Sequence, residues 1–283
     1  MLSKFSNINI SKHAEVHNTA VLQGEITIED DVYIGPYCVL NGKIKLGKGV
    51  KLLNHVAISG NTTIGEGTTI YPFAAIGFIP QDTKYKGEET FLEIGKNNTI
   101  RENVTINSGT ADGGFYTKIG DKNLFMIGSH VGHDCIIGNN CIVANNVGIA
   151  GHVTLEDNVI IGGNSGIHQF VRIGRNVMIG GMSAVIKDIP PFTLYVGDRD
   201  SKLRGLNLVG LKRHGFSRED VRSVKKAYDV IFQDNAPYEN IKSLAKTNKN
   251  EKVQILIDFI ATNKTKSICL WDSNIKQTDE QDV

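Results

Sequence analysis

Four of the chain's eight histidines, at 130, 133, 152 and 168, fall within one stretch of its 283 residues. His133 is followed at once by a carboxylate, Asp134, and Gly151 lies eighteen residues beyond it. A histidine titrating near neutrality can take a proton from a hydroxyl, and an adjacent carboxylate fixes its tautomer and stabilises the imidazolium. A backbone N–H beside such a base can hold the negative charge that develops on a carbonyl oxygen during acyl transfer. His133, Asp134 and Gly151 therefore offer a general base, its orienting acid and an oxyanion donor. No serine or cysteine is paired with a base in nucleophile fashion, which favours direct transfer over a covalent acyl-enzyme. The same histidines also leave open a metal reading, because three histidine ligands and a vacant position make a catalytic zinc site.

Eighteen residues acquire a spatial meaning from an internal repeat of period six. Aliphatic anchors, with one phenylalanine, recur at every sixth residue from Ile10 to Ile76, return at Ile94, Ile100 and Ile106, and run again from Ile119 to Val185. Glycine often follows the anchor (Gly35, Gly120, Gly162), and Gly or Asn recurs three residues after it (Gly49, Asn140, Asn158). Both residue types tolerate left-handed backbone. Each hexad thus reads as one short strand and one turn, which excludes the helical period. Three hexads close a triangular coil, and coils stack through parallel-strand hydrogen bonds about 4.8 Å apart. Gly151 then lies one coil above His133. His130 precedes anchor Val131, His152 takes a corner position, and His168 follows anchor Ile167, so these rings face outward rather than into the core.

Two segments leave the repeat. Residues 77–93 break the pattern and keep its phase, whereas residues 107–118 shift it by one. Loops ejected from a rigid solenoid often carry binding groups. The strands are expected to end at Pro190-Pro191, which cannot donate to another strand. Beyond them Ser217-Arg-Glu-Asp220 has the form of a helix N-terminal cap, and further helices are expected around 238–247 and 253–260. The expected organisation is a solenoid over 1–191, a small α-helical lobe over 192–271 that caps the open column end, and a disordered tail over 272–283.

Net charge is +1, no footprint for nucleic acid. The segment 205–271 nevertheless holds twelve Lys or Arg against seven Asp or Glu. The four cysteines form no C-x-x-C pair, there is no signal-peptide pattern, and no apolar stretch approaches the twenty residues of a membrane span. A cytoplasmic protein with free thiols and no membrane insertion is expected.

Stacked hexapeptides of this form resemble the hexapeptide-repeat acyltransferases. That resemblance implies a mainly β fold, a left-handed parallel β-helix of about nine to ten triangular coils with a small C-terminal α-helical domain. The likeness sharpens at His-Val-Gly-His-Asp-Cys (130–135), Ala-Gly-His (150–152), Ile-His-Gln-Phe (167–170), Pro-Gln-Asp-x-Lys-Tyr (80–85) and Gly-Leu-Asn…Gly-Leu-Lys-Arg…Gly-Phe-Ser (205–217). Together these are similar to the acyl-carrier-protein-dependent UDP-N-acetylglucosamine O-acyltransferases of lipid A synthesis, over most of residues 10–270. The resemblance implies His133 as general base on the sugar 3-hydroxyl, Asp134 as its partner and the Gly151 N–H as oxyanion donor. It implies sugar and diphosphate contacts from His130, His152, Gln169, Asn207 and Arg213, with His168 lining the site. Asp82 and Lys84 would reach substrate across the interface of a homotrimer, and Gly181 would gauge acyl length. No cofactor or metal is implied, since the acyl donor rides on the phosphopantetheine of acyl carrier protein, which Lys212, Arg218, Arg222, Lys225 and Lys226 could steer. Two positions depart from the family pattern: Asn107, where histidine is frequent, and Val209, where an acid is.

Three other readings compete: a zinc hydratase of the carbonic-anhydrase type on the same fold, the sister N-acyltransferase of the pathway, and a purely structural solenoid. Asp134 and Gln169 among the histidines, and a lobe carrying Arg213, disfavour the first. A repeat that begins by Ile10 leaves no room for the extension domain expected of the second. The third leaves the clustered histidines without a purpose.

Overall fold

The computed structural model describes residues 7–198, 200–262 and 265–271; the tail from residue 272 lies outside the described residues. The chain winds into a parallel β-solenoid of about ten turns, and four helices follow. Most strands are two residues long, an outward residue followed by a buried anchor, as in His130–Val131 and Gly148–Ile149. The anchors from Ile28 to Val185 are buried and form one continuous core. Ile10 departs from the pattern at 42% exposed, and Val16 and Leu22 are only partly buried, because they lie in the terminal coil of the stack. Three faces result. The first carries Thr105–Asn107, His130–Val131, Gly148–Ile149 and Gly166–Ile167; the second carries Tyr116–Ile119, Ile136–Ile137 and Thr154–Leu155; the third carries Leu124–Phe125, Ile142–Val143 and Ile160–Ile161.

Corners between faces turn through left-handed backbone, which explains the recurrent Asn at 140, 146, 158, 164 and 176. In the lower coils the first and second faces run as single strands, Val21–Ile28, Val39–Leu46 and Ala57–Ile64. These bend at stacked glycines: a Cβ on Gly24 would fall against the Gly42 carbonyl, and one on Gly42 against that of Gly60. Close backbone approach is what glycine permits there.

The register locates both ejected loops. Leu46 pairs with Ile64, but Ile64 pairs with Ile94, thirty residues on instead of eighteen, so twelve residues leave the column and phase survives. Ile94 pairs with Ile119, twenty-five residues on, so seven leave and phase shifts by one. Both loops emerge at the corner between the first and second faces, beside the histidines.

Contrary to the sequence expectation, strand pairing continues past Pro190-Pro191. Thr193–Tyr195 pairs in parallel with Met178–Ile179, and Leu203–Leu206 then pairs antiparallel with it. The prolines occupy a corner, where no ladder N–H is required, and the chain rejoins the third face beyond them. Helix α1 (Leu208–Arg213), too short to show a period, follows; α2 (Arg218–Ile231), α3 (Pro237–Thr247) and α4 (Glu251–Ala261) form the lobe. The Ser217/Asp220 capping box is present. The lobe closes the column end: the buried Tyr228 hydroxyl donates to Pro191 O at 2.6 Å, and Arg172 reaches Asp188, Thr262 and Phe259.

Candidate active site

His133 and Asp134 form the corner after His130–Val131. The His133 Nδ1 lies 2.7 Å from Asp134 Oδ2, so Nδ1–H donates to the carboxylate and Nε2 keeps its lone pair for a proton. Asp134 is buried, with φ of 60°, and its own N–H donates to Thr117 Oγ1 at 2.8 Å. The residues one and two coils above it, His152 and Phe170, hold the same left-handed conformation, with φ of 61° and 65°. Their rings stack at 4.4 Å, and His152 meets His133 edge-on at 5.1 Å. The stack Tyr37, His55 and Phe73 at another corner holds the same conformation, so the backbone is that of the repeat and the side chains are what set this corner apart.

Gly151 sits directly over His133. A Cβ added there would lie 2.6 Å from both Cε1 and Nε2 of the ring, so only glycine leaves room for the base. Among the described residues its N–H donates to no acceptor, although its carbonyl accepts from Phe170 N. A backbone donor without an acceptor therefore lies beside the ring whose Nε2 carries the lone pair, an arrangement suited to acyl transfer.

His130 is half-buried, with Nδ1 2.7 Å from Thr105 Oγ1; burial foremost, then the neighbouring His133, hold its pKa below the ordinary 6.5. Burial likewise lowers the pKa of His152, with Asp134 opposing. Asp82 accepts the Lys84 N–H at 2.9 Å, the main reason its pKa is lowered, and it also feels His133 and His152. The first loop therefore bears on the histidines of its own chain. His168 and Gln169 are exposed two coils above the base, with His168 Nδ1 3.3 Å from Lys266 Nζ.

Sequence reasoning missed Thr110, Gly113 and Phe170. Thr110 N–H donates to Asp134 Oδ1 at 2.7 Å, and its hydroxyl to Oδ2 at 2.6 Å. A Cβ on Gly113 would fall on the Asp134 carboxylate carbon. The second loop is thus moulded onto the acid. The one-residue phase shift marked that loop, but no residue in it; Phe170 was findable from its eighteen-residue spacing to His152. Asn107 is buried and pins the start of the first loop, donating to Ile79 O at 3.0 Å.

Other expected site residues stand apart. Gly181 lies at the corner between the third and first faces, stacked over Gly163. Asn207 lies at the corner between the second and third, where its amide donates to Asn176 O at 2.9 Å and accepts from Gly210 N at 3.1 Å, capping α1. Arg213 ends α1, exposed, and its side chain makes no ion pair or hydrogen bond among the described residues. One chain does not bring these together with His133.

Donor atoms of His133, Asp134 and His152 lie within 4.8 Å of one another, close enough for a metal. Yet Oδ2 of Asp134 already accepts from Thr110 and His133, and Oδ1 from Thr110 N. Oδ2, the oxygen that lies between the two histidines, thus has both lone-pair sites taken, which suits a base-orienting carboxylate better than a metal ligand. Cys135, next in the chain, is no nucleophile: burial pushes its thiol up to about 12, and Sγ–H donates to Ala150 O.

Residues 188–269 match the family model "UDP N-acetylglucosamine O-acyltransferase; Domain 2", and residues 116–151 the six-repeat bacterial transferase hexapeptide model. An acyl-[acyl-carrier-protein]–UDP-N-acetylglucosamine O-acyltransferase of Thermodesulfovibrio yellowstonii is 49% identical over 260 residues, 90% of this chain and 99% of that protein. Its counterpart from Aliarcobacter butzleri is 46% identical over 250 residues, 88% of this chain and 96% of its own. The crystal structure of the UDP-N-acetylglucosamine O-acyltransferase of Moraxella catarrhalis superposes with a TM-score of 0.81 at 40% identity, covering 92% of this chain and 99% of that one. The Campylobacter jejuni UDP-N-acetylglucosamine acyltransferase gives 0.81 at 39%, over 93% and 100%.

Proposed function

The chain belongs to the UDP-N-acetylglucosamine O-acyltransferase family of hexapeptide-repeat proteins, and from that premise we propose how its residues perform the reaction. The enzyme transfers an acyl chain from acyl carrier protein to a hydroxyl of UDP-N-acetylglucosamine in lipid A biosynthesis. In our reading the acyl group is a 3-hydroxyacyl chain and the acceptor is the sugar 3-hydroxyl. His133 Nε2 takes the hydroxyl proton as the oxygen attacks the thioester carbonyl, and Asp134 stabilises the imidazolium. The tetrahedral oxyanion is held by the Gly151 N–H. Collapse breaks the C–S bond, and the phosphopantetheine thiolate leaves with the proton from His133. The observation that carries this reading is the His133 ring lying against the backbone of Gly151 with Asp134 behind it.

His130, His152, Asp82, Lys84 and Gln169 surround the same corner and are suited to the sugar and diphosphate; His168 borders them. Above His130 the first face turns outward only Gly148, Gly166 and Ala184, and a Cβ on either glycine would meet nothing within 4 Å. Packing within the chain does not require glycine there, which suits a floor along which an acyl chain runs from the base toward Gly181.

Asn207 and Gly181 at other corners, with Arg213 at the end of the helix that Asn207 caps, support a homotrimer with sites between subunits. So does the outward surface of the lower coils. The first face shows Val21 and Val39, with Tyr37 and Phe73 each 57% exposed at its corner, whereas the second shows ion pairs such as Lys43–Glu89 and Lys118–Glu93. The exposed cations Lys212, Arg218, Arg222, Lys225 and Lys226 offer acidic carrier protein a landing surface. The deciding experiment assays purified protein with UDP-N-acetylglucosamine and a panel of 3-hydroxyacyl carrier proteins. His133→Ala is expected to lower kcat by about 10²–10⁴ with sugar-nucleotide binding kept; retained turnover would refute the base.

A further inference from the structure

The repeat places position 134 beneath position 152, so a carboxylate at 134 has two histidines within reach, His133 beside it and His152 above. Asp134 Oδ2 is 2.7 Å from His133 Nδ1 and 3.6 Å from His152 Nε2. Nothing in the hexad pattern makes that choice. A carboxylate can turn about its Cβ–Cγ bond, and a small turn exchanges one imidazole for the other.

Thr110 meets both oxygens at once. Its N–H donates to Oδ1 at 2.7 Å and its hydroxyl to Oδ2 at 2.6 Å, a two-point grip that fixes the rotation of the carboxylate plane. The hydroxyl has a single proton, and its oxygen accepts from Gly113 N at 3.3 Å, which directs that proton to Asp134. Thr110 itself is held: it is 3% exposed, its carbonyl accepts from Phe115 N at 2.8 Å, and it caps the turn Ala111–Gly113. That turn is braced by the first loop through Glu88 on Ala111 N and Lys84 on Asp112.

We propose that Thr110 is a positioning residue that assigns Asp134 to His133 and withholds it from His152, and so decides which histidine is the base. The inference rests on the reading of His133 as base. The second ejected loop then has a stated purpose, since the phase it breaks is the cost of bringing Thr110 over the acid. Besides each other and Asp134, the two histidines face His130 on the first face and Asp82 and Lys84 on the first loop. None of these changes in the variants below.

The test is nuclear magnetic resonance titration of ring-labelled histidine in the full-length enzyme, with His133 and His152 assigned from their alanine variants. Thr110→Val keeps shape and removes the hydroxyl; Thr110→Ala is a second deletion should valine misfold; Thr110→Ser restores the donor. In the deletion variants the His133 midpoint is expected to fall and that of His152 to rise, as Asp134 changes partner. The corresponding kcat should fall about 10- to 100-fold, the scale of one lost hydrogen bond to a charged group, with KM for the sugar nucleotide little changed. Thr110→Ser should return midpoints and kcat toward wild type. Unmoved midpoints, midpoints moving together, or a serine variant no better than valine would overturn the assignment. Retained turnover in His133→Ala would instead refute the base reading, which the titration does not depend on.

Discussion

His133 and His130 have the same side chain and opposite surroundings. His133 gives its Nδ1–H to the Asp134 carboxylate, whereas His130 has only the Thr105 hydroxyl at its Nδ1, half-buried beside another histidine. Its lowered pKa makes a prediction about stability. The unfolded chain binds the proton more readily than the folded one, so stability rises with pH through the window between the depressed value and the ordinary 6.5. The contribution is present above that ordinary value and lost as pH falls through the window. His130→Gln, which cannot titrate, should therefore show a smaller drop in Tm than wild type between neutral and mildly acidic pH. Parallel Tm curves for the two proteins would show that His130 is not the group responsible.

At the scale of elements, the hexad strand is too short to be stable alone and survives by stacking. Corners are consequently where sequence is most constrained. Gly42 has φ of 140° and its Cβ position falls against the Gly60 carbonyl. Gly42→Ala must strain the backbone and push two strands apart, at a combined cost of about 2–5 kcal/mol. Chemical denaturation measures this, and a loss under about 0.5 kcal/mol, the scale of an indifferent surface change, would contradict the stacked-corner account. The ejected loops obey a different logic, answering to the acid at Asp134 rather than to the period.

For the whole molecule, the lobe is clasped to the column by Arg172, which bonds Asp188, Thr262 and Phe259 O and lies 4.4 Å from the Phe259 ring centre. Asp188 is 1% exposed, and burial already raises its pKa. Arg172→Ala leaves that acid buried without its cation, and a loss of about 3–5 kcal/mol is expected; limited proteolysis should then cut the helices first. Helices as resistant as in wild type would mean the clasp is dispensable. The proposed intersubunit site makes its own prediction. His133→Ala and Arg213→Ala subunits, each impaired alone, should regain activity when assembled together, because mixed oligomers hold some sites with both wild-type residues. Absence of any recovery in verified mixed oligomers would place both residues in one subunit's site.

The sequence by itself determined the column. A period of six with buried aliphatic anchors is satisfied by one stacking, and that stacking puts Gly151 over His133 through local spacing alone. It also located the helices whose apolar faces keep a period, and it placed the ejected loops through the phase they kept or broke. What it did not determine lies off the period. Pro190-Pro191 reads as a stop, yet the prolines sit at a corner and the strand resumes at Thr193–Tyr195. Thr110 has no repeat position to predict its neighbours, and its grip on Asp134 exists only because the second loop folds back onto its own corner. The period alone sets Gly181 at a corner other than that of His133, but only the tertiary structure placed Asn207 at a corner of the prism, with Arg213 at the end of the helix it caps. The physical reason is that hydrogen-bonded stacking carries position along the column from one coil to the next, whereas nothing periodic carries it across a loop or from one molecule to its neighbour.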